Sequence, residues 1–122
     1  LLQLAMPVER IKAHPYVRQN NGRVALQRGP IVYCLEEADN GPALGALALS
    51  REAAFEARRA PDVLGDVVVI EGQGVRRDLS TWNDVLYRPA QMPLVPAPIC
   101  AIPYYAWANR GIGEMTVWIR EG

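Results

Sequence analysis

Arg23-Val24-Ala25-Leu26-Gln27-Arg28-Gly29-Pro30-Ile31-Val32-Tyr33-Cys34-Leu35-Glu36 is the stretch that sets the fold class of this 122-residue chain. Ile31 to Leu35 is rich in β-branched and aromatic residues and apolar at successive positions, so it reads as a strand covered on both faces, the central strand of a sheet. Arg23 to Gln27 is a second extended run. Arg28-Gly29-Pro30 reads as an interruption of the bulge kind between them, because glycine relaxes the backbone and proline removes a donor. Just upstream, Asn20-Asn21-Gly22 separates Arg23 from the extended Tyr16-Val17-Arg18, and Asn-Gly between extended runs predicts a hairpin.

Working outward, Leu2, Leu4, Met6 and Val8 alternate with other residues as in a strand, and Pro7 assigns that strand to an edge or a bend. His14-Pro15 breaks the chain after it. Downstream, Glu36 to Pro42 is a polar loop with turn residues at its end, and Leu44 to Leu49 returns to strand alternation. Ser50 to Ala60 is the one stretch that propensity assigns to a helix, with Ser50 as a cap and Ala53, Ala54 and Ala57 at helical spacing. Val67 to Glu71 is a β-branched strand, and Gly72-Gln73-Gly74 predicts a sharp change of direction. Val75 to Tyr87 is irregular, and Pro89, Pro93, Pro96 and Pro98 predict an extended surface crossing. Met115, Val117 and Ile119 share one face of a half-buried final strand. Eight or so short strands with regular turns predict an all-β fold, a two-sheet antiparallel β-sandwich, jelly-roll-like, with long Pro-rich connections.

Ala101-Ile102-Pro103-Tyr104-Tyr105-Ala106-Trp107-Ala108-Asn109-Arg110-Gly111 concentrates the aromatics. If it is extended, Tyr105 and Trp107 point to one side and Tyr104 to the other. Such a cluster serves either as a core anchor, the commoner use, or as a sugar-stacking platform with amide and guanidinium groups beside it. The residues for the second use are Trp82, Tyr104, Tyr105, Trp107, Asn109 and Arg110.

Thirteen basic and thirteen acidic residues cancel, and no block of like charge appears. Neither a nucleic acid nor an anionic membrane is an expected partner. No apolar run approaches the roughly 20 residues of a membrane-spanning helix. Cys34 and Cys100 stand in no metal-type or C-x-x-C spacing and read as buried free thiols, so no metal or cofactor is expected. With no leader-like segment in view, a cytoplasmic setting is favoured, although the chain opens at Leu1 without a methionine and reads as a piece of something longer. Catalytic chemistry finds no constellation. Glu36, Glu37 and Asp39 cluster in a turn-rich polar loop, His14 is the sole histidine, and neither Ser50 nor Ser80 has a nucleophile context. Gly72-Gln73-Gly74 lacks the helix and third glycine of a dinucleotide fingerprint. No catalytic residue is assigned.

The run Gly22 to Glu36, with Ala101 to Gly111 and Gly113-Glu114-Met115, resembles the C-terminal part of glycoside hydrolase family 127, the β-L-arabinofuranosidase family. The resemblance spans nearly the whole chain. It implies a parent enzyme whose N-terminal (α/α)6 barrel carries catalysis with a zinc-bound cysteine nucleophile and glutamates, followed by β-sandwich domains. None of those catalytic motifs has a matching position here, and Cys34 belongs to the Tyr-Cys-Leu-Glu strand motif instead. Residues 1–13 would be the closing strand of a preceding sandwich or a linker, and 14–122 the C-terminal sandwich. By the same resemblance, Phe55 and Ala57 lie on a strand, against propensity. The implied role is non-catalytic: bracing the barrel, with Tyr104 to Arg110 as the seam, and forming a homodimer contact. The rival is a carbohydrate-binding module for arabinose-containing glycans.

Overall fold

The computed structural model describes residues 7–50, 52–59, 67–77, 94–107 and 113–121. The described residues hold nine strands: β1 (Val8–Ile11), β2 (Arg23–Arg28), β3 (Ile31–Glu36), β4 (Leu47–Leu49), β5 (Phe55–Arg59), β6 (Val68–Arg77), β7 (Leu94–Pro103), β8 (Met115–Thr116) and β9 (Ile119–Glu121). One helical turn, α1 (Glu37–Asn40), follows β3. The domain is all-β and sandwich-like, and Phe55 and Ala57 lie on β5, as the family resemblance implies and helix propensity does not.

The pairing order is β1-β2-β9-β4-β6-β7-β3-β8, and β2 also pairs β3, so six strands close into a ring. Among the described residues the pairs are antiparallel except β4 with β9, which runs parallel, so the expected purely antiparallel arrangement becomes a mixed one. The ring encloses the main core, built from Val24, Leu26, Tyr33, Leu35, Leu47, Leu49, Ile70, Ile99 and Ile119 among others. Every ring strand contributes, which is what alternation along each strand requires. A second, smaller cluster lies on the opposite face of β3, β6 and β7, where Cys34, Val69, Ile102 and Ala106 pack with Cys100, Met115 and Val117. Tyr33 to Glu36 are therefore buried in succession, as expected of a strand covered on both sides. Cys34 is buried and Cys100 half-buried.

Several local expectations give way to tertiary contacts. Gly29-Pro30 is a hairpin reversal rather than a bulge, since Arg28 faces Ile31 across an antiparallel pair and Gly29 has φ 59°. A glycine with positive φ followed by the fixed negative φ of proline matches the twist of the flanking strands. Asn20-Asn21-Gly22 ends a longer connection between β1 and β2 that includes a 3-10 turn at Arg18–Asn20. Leu44 to Ala46 form another 3-10 turn, so the strand expected from Leu44 begins at Leu47.

Gly72-Gln73-Gly74 does not turn the chain; β6 runs through it. A Cβ on Gly72 would stand 2.5 Å from the Phe55 ring, which covers it from β5, and one on Gly74 would stand 2.3 Å from Ile99 and 2.6 Å from the Ala48 carbonyl. Close approach, not turning, is why these two residues have no side chain. The prolines Pro96 and Pro98 lie on β7, paired with Val75 and Gln73 of β6, where a surface crossing was expected. Proline is tolerated because β3 covers the other edge of β7 only at Ala101 to Pro103, so no partner strand needs the missing N–H groups. The single final strand splits at Val117-Trp118, where the Thr116 hydroxyl donates to the Trp118 carbonyl at 3.0 Å. Met115 and Val117 thereby join the second cluster and Ile119 the main core.

Candidate functional site

The aromatic segment leaves the ring at the end of β7. Pro103 pairs opposite Tyr33 as the last residue of that strand, and Tyr104–Ala106 then coil into one 3-10 turn closed by the Trp107 amide donating to the Tyr104 carbonyl at 3.1 Å. Ala106 is the anchor, buried in the second cluster. Residues three apart eclipse one another in a 3-10 turn. Tyr104 and Trp107 consequently stack on one side, centroids 6.2 Å apart and planes 19° from parallel, where extended alternation had placed them on opposite sides. Their exposures are 47% and 45%, and Tyr105 reaches 70%. The three rings thus form an exposed apolar surface held on a buried alanine. Trp82, Asn109 and Arg110, the remaining residues singled out by the sequence, lie outside the described residues.

Beneath this turn the rim of the ring carries two polar groups that sequence patterning did not mark. Tyr33 is buried within the core, and its hydroxyl donates to the Val68 carbonyl at 2.8 Å. Burial raises its pKa above the ordinary tyrosine value, the positive charge of Arg28 and a side-chain hydrogen bond from it oppose that rise, and the Tyr105 phenol adds to it. Arg28 ends β2, is 2% exposed, and its Nε and Nη2 have no hydrogen-bond partner among the described residues. The signal that could have flagged it is a lone arginine in phase with Val24 and Leu26 on a strand whose inward positions are otherwise apolar.

The acidic loop is tied to its neighbours by hydrogen bonds. Glu36 is buried at the end of β3. The Glu37 amide donates to the Glu114 carbonyl at 2.9 Å, Glu37 Oε1 accepts from the Glu114 amide at 3.0 Å, and Glu114 Oε1 accepts from the Leu44 amide at 3.2 Å. Asn40 holds β7 at Cys100, with Oδ1 accepting from its amide and Nδ2 donating to its carbonyl, both at 2.9 Å. Among the described residues, no three His, Cys, Asp or Glu side chains gather as a metal-binding group. No described helix is long and apolar enough to cross a membrane.

Comparison with known proteins gives the fold a context. The non-reducing end beta-L-arabinofuranosidase of Bifidobacterium longum subsp. longum is 38% identical over 98% of this chain and 19% of its own length. The crystal structure of a GH127 beta-L-arabinofuranosidase from Geobacillus stearothermophilus T6 superposes with a TM-score of 0.90 at 63% identity, covering 96% of this chain and 18% of that one. A GH127 beta-arabinofuranosidase matches with a TM-score of 0.80 at 33% identity, over 96% of this chain and 17% of that structure. The chain thus spans about a fifth of the length of these relatives. With the profile of the glycoside hydrolase family 127 C-terminal domain matching residues 8–120, on an all-β fold shared with these structures, the chain belongs to that family.

Proposed function

We propose that this chain is a non-catalytic C-terminal domain of a β-L-arabinofuranosidase-like protein and that it braces the catalytic portion, with the Tyr104–Trp107 turn as the docking face. The observation that carries the reading is that turn: three large aromatic side chains stand exposed together on a domain that corresponds to about a fifth of its relatives. Contiguous apolar surface of this kind marks a contact site. The Glu37 and Glu114 carboxylates accept backbone hydrogen bonds, which supports a scaffold role for the acidic loop. Hydrogen exchange compares the 122-residue chain with the longer protein. The amides of residues 104–107 are expected to be protected in the longer protein relative to the chain alone, and equal exchange in the two would remove the bracing reading.

The near-parallel Tyr104–Trp107 pair favours one second reading, a carbohydrate-binding module in which ring faces cover the apolar face of a sugar. Titration with L-arabinofuranosyl oligosaccharides separates the two. Saturable quenching of tryptophan fluorescence that is lost in Trp107→Ala supports the module, whereas bracing predicts no response.

A further inference from the structure

We propose that the outer face of the β2–β9 pair, at Arg23 and Arg120, is a binding site for an acidic oligosaccharide, one whose sugars carry carboxylates. Arg23 lies directly opposite Arg120 in that pair. Their neighbours Val24 and Ile119 belong to the main core, so by alternation the two arginines leave from the solvent face, and both are exposed. Arg77 extends the same face. Arg120 is opposite Ala48, Ala48 is opposite Val75, and Arg77 follows Val75 by two positions on β6. Like charges directly across a pair are unfavourable, and among the described residues no carboxylate pairs with any of these three arginines. Burial, then the charges of Arg77 and Arg23, hold the Arg120 guanidinium below its ordinary pKa. The face calls for a negative group from outside.

Two clefts give such a group access. One, of about 60 Å3, is lined by Arg23, Arg120, Thr116 and the half-buried Trp118 among others. The other, of about 200 Å3, is lined by Arg23, Lys12, Asn20 and Asn21 among others. Glu121 also lines it, but its carboxylate is held by Arg10 at 2.8 Å and lies 3.7 Å from Lys12. Arg23 is thus the wall that the two clefts share. Guanidinium forks select carboxylates. The carboxamides of Asn20 and Asn21 suit sugar hydroxyls, and Trp118 suits the C–H face of a sugar ring. An oligosaccharide of uronic acids presents all three kinds of group along one chain. A docked protein fits less well: none of the exposed large apolar side chains lines either cleft, and a protein contact is centred on such anchors. The site lies at the start of β2, whereas the aromatic turn follows Pro103, opposite Tyr33 and beyond the hairpin that ends β2. The inference is therefore independent of both readings of that turn.

Titration of the 122-residue protein with trigalacturonate, followed by NMR, tests this. Saturable shifts are expected at Arg23, Arg120 and the Trp118 indole N–H, weakening as salt is raised. Arg23→Ala and Arg120→Ala are each expected to weaken binding about tenfold, the loss of one charge-assisted hydrogen bond. Both side chains are exposed, so the fold is expected to survive either change. A neutral L-arabinofuranosyl trisaccharide is expected to shift none of these signals. The inference is overturned if trigalacturonate shifts none of them, or if the neutral sugar binds there equally well. It is overturned as well if tri-L-glutamate binds as tightly, since the face is then a receptor for acidic peptide. Shifts confined to residues 104–107 also overturn it and leave the carbohydrate-binding reading of the aromatic turn standing. In the longer protein, calorimetry is expected to show the same Arg23-dependent binding. Its absence there means that the rest of the polypeptide covers the face, and overturns the inference without touching the bracing reading.

Discussion

Single side chains tie together parts of this domain that lie far apart in sequence. Arg10 donates to Glu121 Oε2, to the Ser50 carbonyl and to the Ala53 carbonyl, each at 2.8 Å, and its guanidinium lies 5.5 Å from the centre of the Phe55 ring. One side chain thus joins β1, β9 and the lead-in to β5. Asn40 is the counterpart at the other end of the molecule. Its amide offers Cys100 one acceptor and one donor, the pattern that a neighbouring strand would supply, just where β7 runs beyond its pairing with β3. Asn40→Ala leaves the Cys100 amide and carbonyl without these partners. It is expected to cost about 2 kcal/mol, measured by urea unfolding, with an unchanged fold by circular dichroism.

At the scale of elements, β6 and β7 form the longest pair, in register from Ile70–Ala101 to Arg77–Leu94. That length depends on Gly72 and Gly74. At Gly74, β6 lies so close to its neighbours β4 and β7 that a Cβ would meet Ile99 and the Ala48 carbonyl. Gly74→Ala is therefore expected to destabilise the domain by about 1–3 kcal/mol through overpacking, because a backbone carbonyl cannot rotate away as a side chain can. Gly45→Ala serves as the control. No atom lies within 4 Å of a Cβ there, and its effect is expected to stay within about 0.5 kcal/mol. Arg76 extends the same logic to α1: from β6 it donates to the carbonyls of Asn40, Pro42 and Ala43, covering backbone acceptors that the single helical turn leaves unused.

For the molecule as a whole, the closed ring of strands places a phenol in the core, and this gives stability a pH dependence. The pKa of Tyr33 is raised in the folded state, chiefly by burial. The unfolded chain therefore releases the proton first, near the ordinary tyrosine value of 10.0, so that above about pH 10 it binds fewer protons than the folded chain. Stability is fully retained below that pH and falls as pH rises through the folded-state pKa. Thermal unfolding from pH 8 upward is expected to show this decline, and Tyr33→Phe to flatten it while losing the hydrogen bond to Val68. An unflattened decline would assign the effect to other groups.

What the sequence by itself determined is the class of each strongly patterned segment. The apolar run Ile31 to Leu35 had to be extended, and it is covered on both faces from Tyr33 onward while Val32 stays exposed; Val68 to Ile70 had to be extended as well. The Gly22–Glu36 and Ala101–Gly111 motifs pointed to the family. Alternating and β-branched patterns report local preference for one backbone state and one buried face, and that much needs no partner. Tertiary structure alone decided what depends on a partner. Gly29-Pro30 became a hairpin because β2 and β3 pair across it. Gly72-Gln73-Gly74 became continuous strand because Phe55 and Ile99 fill the space that side chains would have taken. Tyr104 and Trp107 came together because a buried Ala106 fixed a 3-10 turn. Arg28, ordinary in the written chain, became a buried side chain whose Nε and Nη2 have no hydrogen-bond partner among the described residues because the ring closed around it. Each of these outcomes is set by steric fit and hydrogen bonding between segments distant in the chain, to which a local pattern is blind.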